Sequence, residues 1–215
     1  MMLLILKKYS FYFLISLFVF LLLSVPVVMF IQGDIQKVAF AVLICGIFIY
    51  FNALGPVFGS EQYEEKNKGY EFLNILPLRN IDIVAAKFLW VLLVDAFFVG
   101  GILLFLKYSP WSGNQLVLFR SLALLNGSAS LLLAAVSYLL IFWIGYTKYM
   151  IVVLSVMVAM GFIPMLILKF LNDRIDQIIA DIGNFIIDIN WLIVLTVVLM
   201  VYVGLMFLAS KVKKY

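Results

Sequence analysis

The chain has 215 residues, of which 67% are hydrophobic and 12% charged, and its mean hydropathy is +1.20. A soluble domain is usually about 45–50% apolar and about 25% charged, so a water-soluble fold could not bury this much apolar surface. The composition therefore predicts an integral membrane protein. Histidine is absent and Cys45 is the single cysteine, which excludes a disulfide framework, a thiolate metal cluster and the commonest general base.

Six segments are long and apolar enough to span a bilayer, which requires about 20 mainly apolar residues. They cover approximately residues 9–31, 38–59, 83–106, 117–144, 150–170 and 191–210. Lys7 and Lys8 give the first segment the look of a signal peptide, but its apolar run is too long and no cleavage site follows, so we predict an uncleaved span. The alternative to six spans is that one long buried hairpin takes the place of two of them.

The distribution of Lys and Arg predicts the orientation, because cytoplasmic loops carry an excess of these residues. With the N-terminus inside, ten basic residues fall on the inner side and five on the outer side. The inner set is Lys7, Lys8, Lys66, Lys68, Arg79, Lys87, Lys148, Lys211, Lys213 and Lys214. The outer set is Lys37, Lys107, Arg120, Lys169 and Arg174. We therefore predict an all-α polytopic fold with six transmembrane helices and cytoplasmic N- and C-termini. The net charge of +4 is interpreted as a topology signal and not as a nucleic-acid surface.

Residues 61–76, between spans two and three, form the one long loop on the predicted cytoplasmic side. They could form four helical turns that end at Pro77, with Glu64 and Lys68 as an i,i+4 pair in the favourable order. An incomplete apolar face consists of Tyr63, Tyr70, Leu73 and Leu76. Two interpretations stay open: a solvated loop that carries topology charge, or a short helix that docks into a partner protein.

Polar side chains inside the spans are rare, and Asp95 lies near the middle of the third one. A charge at that depth costs at least about 2.5–3.5 kcal/mol on insertion scales, so it should face protein or water. Counting from the turn near Trp111 places Asn126 at a similar depth and Arg120 nearer the outer surface. Asp95 is therefore either half of a helix-pairing bond to Asn126 or part of a translocation path or proton relay.

Between spans five and six, residues 171–190 place apolar side chains at steps of three and four, which predicts an amphipathic helix on the outer membrane surface. The stripe consists of Ile175, Ile178, Ile179, Ile182, Phe185, Ile186 and Ile189. The alternative is a plain connector.

One stretch carries a recognisable local pattern. It consists of Glu61 and Glu65, then Gly69-Tyr70-Glu71, then Leu76-Pro77-Leu78-Arg79, and finally Ile83-Val84-Ala85-Ala86-Lys87. Together with six spans, this pattern resembles the permease subunits of type-2 ATP-binding-cassette exporters. By size and outer helix, the chain is similar to the Gram-positive exporters of phenol-soluble modulins and antimicrobial peptides, and to self-immunity permeases.

The resemblance implies that residues 61–76 are a coupling helix seated in a groove of an ATPase subunit. The implied coupling residues are Glu61, Glu64, Glu65, Gly69, Tyr70, Leu73, Leu76, Pro77 and Arg79. Many relatives begin with a long amphipathic helix, whereas Met1–Ser10 alone precede the first span here, so we expect any such helix to be very short.

The energy source must lie elsewhere, since no G-x-x-x-x-G-K-[ST] motif is present to hold nucleotide phosphates. The chain is thus expected not to be an enzyme and to hold no cofactor or metal, with ATP and magnesium bound by a separate ATPase. The resemblance further implies a second permease chain, identical or related, a bacterial plasma membrane, and amphipathic peptide cargo.

Two rival functions remain from the residues themselves. An ion-coupled secondary transporter would need ion-coupling residues at mid-membrane, where Asp95 alone fits. An intramembrane enzyme would need a cluster of reactive side chains at one depth, which the sequence does not offer.

Overall fold

The computed structural model describes residues 61, 62, 66, 79–108, 113–155, 185 and 187–212. Three long helices lie in this part of the chain: α1 (Asn80–Lys107), α2 (Asn114–Ile144) and α3 (Trp191–Val212). Residues 146–155 form a further helical stretch, and no strand occurs among the described residues. The all-helical class is confirmed for this part of the protein.

All three helices are long and apolar enough to cross a membrane, over Asn80–Leu104, Leu116–Ile144 and Trp191–Val212. At a rise of about 1.5 Å per residue, even α3 extends about 33 Å, which exceeds the hydrocarbon thickness of about 30 Å. The helices overlap three of the six predicted spans, and α1 and α2 each begin three residues before the predicted boundary.

The remaining predicted segments lie outside the described residues. These are the spans at 9–31 and 38–59, the second half of the span at 150–170, and most of the segments 61–76 and 171–190. The count of six spans, the orientation and these two helices therefore stay predictions.

Local polar contacts are found at the first turns of α1 and α3. At the start of α1, the Asp82 amide donates to the Arg79 carbonyl at 2.9 Å, and the Arg79 guanidinium pairs with the Asp82 carboxylate at 3.3 Å. An acid in the first turn also interacts favourably with the helix dipole. Asn190 caps α3 by accepting the Leu192 amide on its side-chain oxygen at 3.2 Å.

Gly145 separates α2 from the helical stretch that follows. Its φ of 85° lies in a region that side chains with a Cβ rarely adopt, so glycine suits this break in the helix. The chain stays hydrogen bonded across the break, because the Gly145 amide donates to the Ile141 carbonyl at 2.8 Å and its carbonyl accepts from Tyr149 at 3.1 Å.

Side-chain contacts establish how the three helices run. Lys87 lies beside Phe142 and Asp95 bonds to Ser130, so α1 and α2 are antiparallel. The Trp191 indole donates to the Ser121 hydroxyl at 2.9 Å at one end of α3. Further along α3, Tyr202 donates to the backbone carbonyl of Phe88. α3 therefore runs parallel to α2 and antiparallel to α1.

The three helices share a core of small and aromatic residues. It includes Val84, Phe88, Val91, Leu131, Ala134, Ala135, Tyr138, Ile141, Phe142, Tyr149, Tyr202 and Ala209. The opposite sides of the helices are apolar as well, with Phe97, Trp143 and Met200 all exposed. Exposed apolar surface on this scale is unusual in a soluble protein and is expected of a surface that faces lipid or other membrane helices.

Candidate functional site

A buried ion pair lies at the end of the bundle where α1 begins. Lys87 lies seven residues after Asn80, which is about 10 Å along α1. The residue is buried, with 1% of its surface exposed. Its Nζ pairs with Oε1 of Glu61, which is 26 residues earlier in the chain and completely buried. The pair thus connects Glu61, which is itself helical, to α1 in the interior of the protein.

Aromatic rings from α2 complete the surroundings of this pair. The Lys87 Nζ is 6.0 Å from the centroid of the Tyr138 ring and 5.4 Å from that of Phe142. The two rings are stacked, with centroids 5.9 Å apart and an interplanar angle of 12°. Ring faces attract a cation electrostatically, and the attraction is stronger away from water.

The same rings extend the contact to the other helices. Phe88, next to Lys87, lies 5.6 Å from Tyr138 and 5.1 Å from Tyr202, measured between centroids. The Tyr202 hydroxyl donates to the carbonyl of Phe88 at 2.7 Å. We call Phe88, Tyr138, Phe142 and Tyr202 the aromatic cluster. It connects all three helices directly beside the ion pair.

The energetics of a buried ion pair are asymmetric. Removing one partner leaves an uncompensated charge and is destabilising by about 3–5 kcal/mol, whereas replacing both by neutral groups of similar volume is often close to neutral. The Glu61–Lys87 pair therefore does not by itself imply that the fold is more stable. What the pair does is hold Glu61 at a fixed distance from α1.

The family resemblance implies that Glu61 is a coupling residue, and the charge distribution makes Lys87 part of the topology signal. Neither pattern pairs the two residues. The signal was present: Lys87 lies seven residues inside an apolar helix, where a cation needs a partner. Arg79, by contrast, is exposed at the start of α1. Glu64, Glu65, Gly69, Tyr70, Leu73, Leu76 and Pro77 lie outside the described residues.

A second polar contact lies deeper in the bundle. Asp95 is 5% exposed, and its Oδ1 accepts a hydrogen bond from the Ser130 hydroxyl. The α2 backbone approaches closely here, because a Cβ built on Gly127 would lie 3.3 Å from the Asp95 Oδ2. The structure therefore supplies Ser130 as a partner, one turn beyond the expected Asn126, which is half-buried.

Arg120 lies apart from this contact. It is exposed near the start of α2, ten residues before Ser130 and thus about 15 Å from it along the helix. The bond between Asp95 and Ser130 is compatible with helix pairing. The place of Asp95 on a translocation path stays a prediction. Among the described residues, no group of three or more metal-ligating side chains occurs.

Comparison with known proteins identifies a family. A family model described as "ABC-2 family transporter protein" matches residues 3–213, which is almost the entire chain. Searches of curated proteins and of solved structures found no significant match.

Proposed function

Because the chain belongs to the ABC-2 family of transporter proteins, we propose that it is the permease subunit of an ATP-binding-cassette exporter. A permease of this family is a multi-pass membrane subunit that associates with an ABC ATPase subunit and is not itself catalytic. The observation that carries the proposal is the match over residues 3–213, and the three apolar helices agree with it.

The proposed cargo is hydrophobic or amphipathic, most simply a peptide such as a toxin or a bacteriocin. The spans described by the structure are apolar on nearly every side and offer few polar groups to a hydrophilic cargo. The alternative function within the same family is self-immunity against an antimicrobial peptide. A homodimer or a related heterodimer of permeases, in a bacterial plasma membrane, completes the proposed assembly.

The proposed mechanism uses the cytoplasmic segment 61–76 as the contact with the ATPase. Closure of the ATPase pair on ATP moves this segment, and the movement repositions the spans to open a path outward or sideways from the bilayer. Two features support it: the chain lacks a phosphate-binding loop of its own, and the segment leads into α1, where the buried Glu61–Lys87 pair lies.

The test uses the purified permease in detergent, with and without a co-expressed ABC ATPase subunit. We expect the permease to form a complex with the ATPase and to stimulate its ATP hydrolysis several-fold. Absence of both binding and stimulation would contradict the proposal.

An ion-coupled transporter is the second candidate, and the buried Asp95 is the observation that favours it. In proteoliposomes that contain the permease alone, uptake or release of cargo driven by a proton or sodium gradient would support this candidate. The exporter proposal predicts no gradient-driven transport without ATPase and ATP.

A further inference from the structure

The Glu61–Lys87 ion pair points to a role beyond the general function of the family. We propose that this pair is the positioning link that transmits movement of the cytoplasmic segment to α1, and through the aromatic cluster to α2 and α3. The inference rests on the proposed function, because it assumes an ATPase that moves the segment.

The position of the pair is the first argument. Glu61 and Lys87 are separated by 26 residues, and the predicted coupling segment lies between them. Their contact therefore closes a loop whose two ends are held together inside the protein. Any displacement of the segment at its Glu61 end acts directly on the second turn of α1.

The chemistry of the pair is the second argument. Apolar surfaces can slide over one another with a gradual change in energy, whereas separating opposite charges in a low-dielectric interior raises the energy steeply. Both side chains are almost completely shielded from water, which would otherwise screen them. An ion pair in this position therefore keeps Lys87 moving with Glu61, as a neutral contact would not.

The neighbours of Lys87 are the third argument. Its ammonium lies against Tyr138 and Phe142 of α2, and its chain neighbour Phe88 contacts Tyr202 of α3. Tyr202 is bonded to the backbone of α1 through the Phe88 carbonyl. A shift of Lys87 thus reaches both other helices through direct contacts.

A neutral double variant, Glu61→Gln with Lys87→Met, separates positioning from folding. It approximately keeps the side-chain volumes and removes both charges of the pair together, so the permease should reach the membrane and bind the ATPase in normal amounts. We expect the stimulation of ATP hydrolysis, per assembled complex, to fall at least fivefold. The matched control is Tyr149→Phe, which removes a buried hydrogen bond to Ser137 in the same core and should leave the stimulation unchanged.

The outcomes distinguish the inference from the function on which it rests. If the double variant assembles and stimulates like the wild type, the pair has no positioning role and the inference fails while the exporter proposal stands. If the double variant does not assemble, the pair belongs to folding and the inference fails again. If the wild-type permease neither binds nor stimulates the ATPase, the proposed function itself fails.

Discussion

At the residue scale, the bundle depends on a few small and polar side chains where helices approach each other. Gly127 lets α2 approach Val99 and Asp95 of α1, and Ser130 bonds to Asp95 one turn away. Similar distances from the turn near Trp111 predict that Asn126 lies opposite Asp95. A helical side chain, however, tilts toward the N-terminus of its helix, which carries Asp95 toward the later residues of α2.

Gly127→Ala tests this close approach. The added Cβ would lie 2.5 Å from the Val99 Cγ2, a short and stiff side chain, so the helices must separate. We expect a loss of about 1–3 kcal/mol, measured as a lower unfolding temperature of the purified permease in detergent. Gly100→Ala in α1 is the control, because its Cβ would meet nothing within 4 Å. Equal stability of the two variants would contradict the close packing.

At the element scale, the lengths of the helices were predictable, and their mutual packing was not. The apolar runs located α1, α2 and α3 to within three residues, because crossing a bilayer fixes both length and composition. Apolar residues surround each helix on nearly every side, so the sequence does not reveal which face is turned inward. The contact of Tyr202 with Phe88, and that of Trp191 with Ser121, could therefore not be predicted.

Tyr202→Phe tests how α3 is attached. Tyr202 is buried, and its hydroxyl donates to the Phe88 carbonyl, whereas the exposed Thr196 donates to the Leu192 carbonyl of its own helix. Removal of the Tyr202 hydroxyl should lower stability by about 1 kcal/mol. Thr196→Val serves as the control and should change the unfolding temperature little. A control effect as large as that of Tyr202→Phe would refute a specific attachment of α3 to α1.

At the scale of the whole molecule, composition and one local pattern led to the same family as the match over residues 3–213. The class was predictable because a chain with this hydropathy has few alternatives to a membrane bundle. The need of Lys87 for a partner was predictable from its place inside an apolar helix, but the choice of Glu61 was not, because a charge at that position has an ordinary explanation as part of a loop. The three described helices meet beside this pair, and we propose that it links them to the segment 61–76.

Crosslinking tests directly whether the segment 61–76 contacts an ATPase subunit, as we propose. Single cysteines at Tyr70 and Leu73, in a Cys45→Ser background, should crosslink to the co-expressed ATPase. A cysteine at Tyr108 is the control, because this residue is 81% exposed and lies at the opposite end of α1. We expect crosslinks from the segment and none from Tyr108. No crosslink from any position across residues 61–76, with the permease present at normal levels in the membrane, would contradict it.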